Sequence, residues 1–554
     1  MPDVTRLAQT TLANGLAVLL YPSFDAPVAS FQVWYRVGSR NEKPGLTGAS
    51  HWVEHMMFKG TAQIGAGDVM LRINGNGGEL NAFTSYDYTA YHETLPADRI
   101  GMAVEIEADR MTGLLIDPEA TESERTVILS ERQGALNNPS YMLWDETIGS
   151  AFRVHSYRHF VIGTEHDLKA MSRDDLYGHY QRFYAPNNAI VVVTGAFDTD
   201  QMLAQIGAAF GSIPATAAID RSASAEPVQI GERRSILRHP APAPEVLIAW
   251  HVPAANDAEE MAFEMLSGVL SGAGGRMGRS ARLPRNLVAS GKARSASANY
   301  LKGIDPFVFL VGATGLPDGD PLELESLLLA QIADIVTNGV TAAEVERASR
   351  LLTAAYHFGT ESVSAQANGL GEAAMYGAVE RFFSWPDDLA AVTPEAIQAA
   401  AATWLTEKNR TVGLLYPTAP SSGGEDGPSL AALRFGLGGI GAPRLQPFER
   451  VDVEPGLVVL GQAQPDDPVV HARIRVQAGS ADDPADKRGL GQLAAVLTMR
   501  GSGKHTREQF EEACDDLGAS IGVSTGREHT EFTVTCLAAD LESALDLLAG
   551  AWSA

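Results

Sequence analysis

The chain has 554 residues, 45% hydrophobic and 20% charged, a composition ordinary for globular protein at a length too great for one core; roughly three or four domains are expected. Its 68 acidic against 42 basic residues leave a net charge of −26, which disfavours binding to a phosphate backbone and fits solubility, with tolerance of basic peptides. With only Cys514 and Cys536 there is no disulfide framework and no Cys-rich zinc site, and no apolar run approaches the roughly 20 residues of a membrane span.

The N-terminus, Met-Pro-Asp-Val-Thr-Arg, has no basic segment followed by an apolar one, so a cytoplasmic location is the default expectation, or a periplasmic one if a leader was removed. Residues 31–37 read as a strand and 48–60 carry helical periodicity. Within the latter lies Gly48-Ala-Ser-His-Trp-Val-Glu-His-Met-Met-Phe-Lys-Gly-Thr61. On a helix His51 and His55 stand one above the other, where one tetrahedral zinc could take both imidazoles. Glu54 sits beside that face, within reach of a water on the metal. This H-x-x-E-H order is the inverzincin order. The alternative for these residues is a surface helix with two histidines and a solvated glutamate.

Further along, 89–95 and the β-branched run 189–194 read as strands, and 98–115, 121–136 and 172–183 as helices. Ser172 with Asp175 offers an N-cap, and Pro186 stops the chain soon after. Such a mixture predicts an α+β or α/β layer domain over 1–215. On the acidic helix Glu124 and Glu131 are seven apart and share a face, so both are candidates for a third metal ligand; a solvated surface is the other reading. Residues 213–232, polar and rich in Ala and Pro, are expected to form a linker. A second α/β domain, 233–416, follows, with strands near 245–251, 307–312 and 411–416 and helices around 322–337 and 342–356. Residues 417–447, rich in Gly, Pro and Ser, are expected to be a flexible linker.

Beyond it, over 448–554, the sequence starts again. Gly15-Leu16 recurs as Gly456-Leu457, Pro27-Val28 as Pro468-Val469, Gly38-Ser39 as Gly479-Ser480 and Gly60 as Gly501, at a constant offset of 441 residues. Such a repeat implies a duplicated domain. At the same offset His51, Glu54 and His55 become Gln492, Ala495 and Val496. The fold therefore does not demand the three residues, which favours a functional reading of them.

The sequence resembles the insulinase/pitrilysin family of zinc metallopeptidases, bacterial two-module type. The resemblance is carried by 48–61, by Gly77-Gly-Glu-Leu-Asn-Ala-Phe-Thr-Ser-Tyr-Asp-Tyr-Thr-Ala-Tyr91, and by 122–132. Gly163-Thr-Glu-His166, Tyr184-Ala-Pro-Asn-Asn-Ala189 and 271–283 add to it. It implies repeated α/β layer domains of an α+β class, each a mixed or antiparallel sheet flanked by helices. It implies one Zn2+ held by His51, His55 and Glu131, with Glu54 as general base and Glu124 supporting the site. It also implies an edge strand holding the substrate backbone at Asn81, with Ala82 and Phe83 beside it. The expected activity is metalloendopeptidase cleavage of peptides or unfolded polypeptides, with no nucleic acid and no membrane span. The implied partner is a second peptidase-like half, in the same or another chain. Relatives carry an Arg and a Tyr in a last domain, and the counterpart of Glu131 would fall at position 572, so the second module is expected to be truncated. The alternatives are a non-catalytic assembly subunit and another zinc hydrolase.

Overall fold

A strand buried on both faces needs no alternation of polar and apolar residues, and the first sheet is built around two such strands. Its strands are β1 (Ala8–Thr11), β2 (Ala17–Pro22), β3 (Val28–Tyr35), β4 (Glu79–Thr84), β5 (Thr89–Pro96) and β6 (Ala189–Gly195). They lie in the order β1-β2-β6-β3-β5-β4, with β2 and β6 parallel and the other pairs antiparallel. The helices are α1 (Ala49–Met56), α2 (Asp68–Gly75), α3 (Gly101–Gly113), α4 (Pro118–Leu136), α5 (Pro139–Ala151), α6 (Glu165–Ala170), α7 (Arg173–Phe183) and α8 (Thr199–Phe210). This is a computed structural model; it describes residues 3–552 except 218, 222, 274–277, 419–447, 455, 465–466 and 502–503. Most of the sequence-predicted linker 417–447 and part of 271–283 thus lie outside the described residues.

The second sheet has the order β7-β11-β8-β10-β9, from β7 (Arg233–Pro240), β8 (Glu245–Val252), β9 (Ser295–Leu301), β10 (Phe307–Thr314) and β11 (Arg410–Thr418). Its helices are α9 (Glu260–Ser271), α10 (Pro321–Asn338), α11 (Ala342–Gly359), α12 (Val363–Met375), α13 (Arg381–Ala390) and α14 (Pro394–Trp404). No single helix among the described residues is long and apolar enough to cross a membrane.

The two faces of the first sheet have different covers. Val191 and Val193 of β6 join Phe31 and Val33 of β3 in a core with Trp52, Val53 and Met56 of α1. Ile190 and Val192 join Trp34 in a second core with Ala367, Leu370 and Ala374 of α12. The apolar run 189–194 is thus a strand with helices on both sides. Gly371 lets α12 approach, since a Cβ there would come within 2.2 Å of Trp34.

Residues 213–232 contain no helix or strand among those described, yet they are anchored rather than free. Glu226 accepts hydrogen bonds from the N–H groups of Arg153, Val154 and His155, and Gln229 donates to the carbonyl of Arg410. The segment joins the two sheet domains without a helix or strand of its own, held along its length by these contacts. The helix expected over 48–60 is shorter: it ends at Met56, and the chain turns through Gly60 at φ 106°.

The repeat consists of the hairpin β12 (Glu449–Glu454)–β13 (Leu457–Gly461) and a sheet of β14 (Val469–Val476), β16 (Thr530–Leu537) and β15 (Ser520–Thr525), in that order. With them are α15 (Leu490–Thr498), α16 (Arg507–Asp516) and α17 (Leu541–Trp552). Val469 pairs Leu537 and Val476 pairs Thr530, the register of Val28 with Pro96 and Tyr35 with Thr89 at the 441-residue offset.

Candidate metal centre

The site begins at the N-terminus of α1, where backbone N–H groups have no helical partner. Glu42 supplies two acceptors: its Oε2 takes the N–H of Gly48 at 2.8 Å and its Oε1 that of Ser50 at 2.7 Å. Burial outweighs those bonds and pushes the Glu42 carboxyl up to about 8. Gly48 has φ 92°, and a Cβ there would meet the carbonyl oxygen of Ile162 at 2.5 Å, so both backbone and space call for glycine. Trp52, Val53 and Met56 bury one side of the helix, and the Arg125 guanidinium of α4 covers the Trp52 ring at 4.7 Å.

His51 and His55 lie on the other side, ring centroids 4.6 Å apart. Glu131 comes to them from α4: its Oε2 is 3.9 Å from His51 Nε2 and 3.7 Å from His55 Nε2. The three ligand atoms lie within 4.8 Å of one another. Bonds of about 2.0–2.2 Å to one tetrahedral zinc would set neighbouring ligand atoms about 3.4 Å apart, so the group fits zinc once its atoms draw in, by a few tenths of an ångström at Glu131 and by up to about 1.4 Å elsewhere in the triad. The donor set agrees: burial, with His55 nearby, pushes His51 down to about 3, which keeps the ring neutral as a ligand must be. The half-exposed Glu131 side chain leaves that flank open.

Two further contacts steady these groups. Glu124 Oε1 accepts a hydrogen bond from His55 Nδ1 at 2.8 Å, so His55 turns Nε2 toward Glu131. Lys59 Nζ lies 2.5 Å from the other Glu124 oxygen. Burial acts to raise the Glu124 carboxyl, but Lys59 and His55 together prevail and hold it below the usual range. Glu54, nearly buried, is raised by burial, against which the Thr84 hydroxyl, donating to Oε2 at 2.5 Å, acts to lower it. Lys59 and Thr84 have no part in the sequence-predicted site. Lys59 lies three residues past the end of α1 and Thr84 on β4, so both reach their carboxylates only through the fold.

The strand β4 lies at the edge of the sheet, with no strand paired on its outer side among the described residues. Leu80 and Ala82 pack toward the core beneath α1, and Thr84 reaches Glu54 on the same face. Asn81 is exposed and its Oδ1 accepts the N–H of Ala82 at 2.9 Å. The Phe83 ring turns to the opposite face, 5.5 Å from Trp34, so Phe83 offers the edge its backbone rather than its ring.

The sequence profile of the insulinase family, peptidase family M16, matches residues 18–165 and 458–553, and that of the M16 inactive domain matches 170–352. An uncharacterised zinc protease of Streptomyces coelicolor is 27% identical over 400 residues, 71% of this chain and 86% of that one. A protease of Helicobacter pylori of known structure is similar at TM-score 0.72 and 26% identity, over 75% of this chain and all of that one. The periplasmic protease PqqL of Escherichia coli, at TM-score 0.63 and 17% identity, shares the fold over all of this chain and 66% of that one.

Proposed function

The chain belongs to the insulinase family of zinc peptidases, M16, and on that premise we propose that it is a zinc-dependent endopeptidase acting on peptides or unfolded polypeptides. The observation that carries the proposal is the convergence of His51 and His55 from α1 with Glu131 from α4, beside a nearly buried Glu54. In this reading His51, His55 and Glu131 hold one zinc ion. When bound, zinc would polarise the scissile carbonyl and lower the pKa of a water.

The chain's own groups do the rest. Glu54 takes a proton from the attacking water onto a carboxylate oxygen and delivers it to the nitrogen of the leaving amine. Its raised carboxyl suits it to hold that proton between the two steps. Glu124 orients the His55 ring, and Lys59 keeps Glu124 ionised. The free edge of β4 at Asn81, Ala82 and Phe83 receives an extended peptide as an added strand, by main-chain hydrogen bonds that do not depend on its sequence. A second peptidase-like half, in this chain or a partner, would close over it.

Metal analysis with cleavage of a quenched peptide library tests the proposal, wild type against Glu54→Gln. Bound zinc in both proteins and turnover only in wild type is expected. Absence of zinc, or equal turnover in both, would overturn it; turnover in neither would favour a non-catalytic, peptidase-like subunit.

A further inference from the structure

We infer that Thr84 is a positioning residue for the base, tying the strand that receives substrate to the carboxylate that acts on it. The inference rests on the reading of Glu54 as general base. At 2.5 Å from Glu54 Oε2, the Thr84 hydroxyl must be the donor to the ionised carboxylate, which only accepts. The nearest competitor for its proton is Thr89, 3.4 Å away, whose own proton is committed to the carbonyl of Val37 at 2.9 Å. The single Thr84 proton therefore goes to Glu54. Held at Oε2, the Glu54 side chain loses rotational freedom and keeps its other oxygen for the proton in transit. Thr84 ends β4, the strand whose outer edge is free. A peptide added along Asn81–Phe83 would stiffen the segment that holds the base.

The repeat contains the same hydroxyls without the carboxylate. Thr530 donates to the carbonyl of Ala478 at 2.8 Å and stands 3.3 Å from Thr525, the residue in the place of Thr84. Ala495 stands where the base would be. The threonine pair thus belongs to the fold in both copies, and only in the first does it face a group to hold. Thr525 is therefore a control for Thr84 inside the same molecule.

The experiment compares Thr84→Val, Thr84→Ser and Thr525→Val in the full chain, reading kcat and KM on a quenched peptide, zinc content and thermal midpoint. Thr84→Val should lower kcat about 10–100-fold with KM and zinc content unchanged, because the lost bond acts on the base and not on substrate or metal. Thr84→Ser, which keeps the donor, should restore most of the rate even if valine perturbs folding. Thr525→Val should leave kcat at the wild-type value. Wild-type kcat in Thr84→Val, failure of serine to restore it, or an equal loss in Thr525→Val would overturn the inference alone. A wild type with no zinc-dependent hydrolysis would overturn it together with the role of Glu54.

Discussion

The first domain and the repeat share a backbone plan and differ in the residues that could do chemistry. In the repeat Asp483 replaces Glu42 and accepts the N–H groups of Gly489 and Gly491 at 2.7 and 2.8 Å, the bonds Glu42 makes to Gly48 and Ser50. Gly489 opens α15 at φ 91°, as Gly48 opens α1 at φ 92°. On the helices so capped, His51, Glu54 and His55 stand opposite Gln492, Ala495 and Val496. Lys59 stands opposite Arg500. Capping and the threonine bonds are demands of the fold and are met twice; the proposed metal ligands and base are met once. Covering differs as well: Trp52 is fully buried beneath Arg125, whereas Leu493 in its place is 58% exposed.

The largest way to test that division is in turnover. Glu54→Gln should lower kcat by about 100-fold or more, the usual worth of a general base, while Ala495→Ser leaves the rate unchanged; steady-state hydrolysis of a quenched peptide decides it. Next comes metal affinity. Glu124→Ala frees the His55 ring and should weaken zinc binding by about 10–100-fold in a competition titration with a chelator. Smaller again is stability. Glu42→Gln and Asp483→Asn each remove one acceptor from a capped helix and should each cost about 1 kcal/mol in urea unfolding. A cost confined to one copy would break the equivalence of the caps.

Glu42 also sharpens the comparison through pH. Its folded carboxyl is raised from the usual 4.5 to about 8, so the folded state holds its proton more tightly than the unfolded chain. The associated stability is fully present below about pH 4.5 and is lost as pH rises through about 8. Glu42→Gln has no such dependence. Its deficit against wild type should therefore be largest at pH 5 and shrink by pH 8.5, read from urea midpoints.

The sequence carried part of this picture in local pattern. The run 189–194 shows as a strand because burial on both faces makes it apolar at every position up to Val193, and His51 and His55 show as a pair because their spacing is one helical turn. Glu131 was a candidate on helix periodicity; only family resemblance distinguished it from other surface glutamates, since its approach to α1 depends on packing across 76 residues. Thr84 and Glu54 are brought together by the packing of α1 on β4, and nothing in either one's neighbourhood in sequence signals it. The strands β7 and β9 escape a pattern reading because they lie at sheet edges with many exposed residues, as in Arg-Arg-Ser-Ile-Leu-Arg-His-Pro. The fixing of segment 213–232 does not show in its sequence because its anchors, such as Glu226, work through backbone groups elsewhere.

The placement of the proposed third ligand on a different helix has a consequence for cohesion. A metal held by His51 and His55 alone would belong to one turn of α1; one that also needs Glu131 is a cross-link between α1 and α4. Whatever free energy it releases on binding is then withheld from any motion that parts the two helices. Zinc at about a thousand times its dissociation constant would add about 4 kcal/mol to the folded state by mass action. The ion would then be a fastener of this domain as much as its reagent, and chelation would loosen the helix pair as it silences the base.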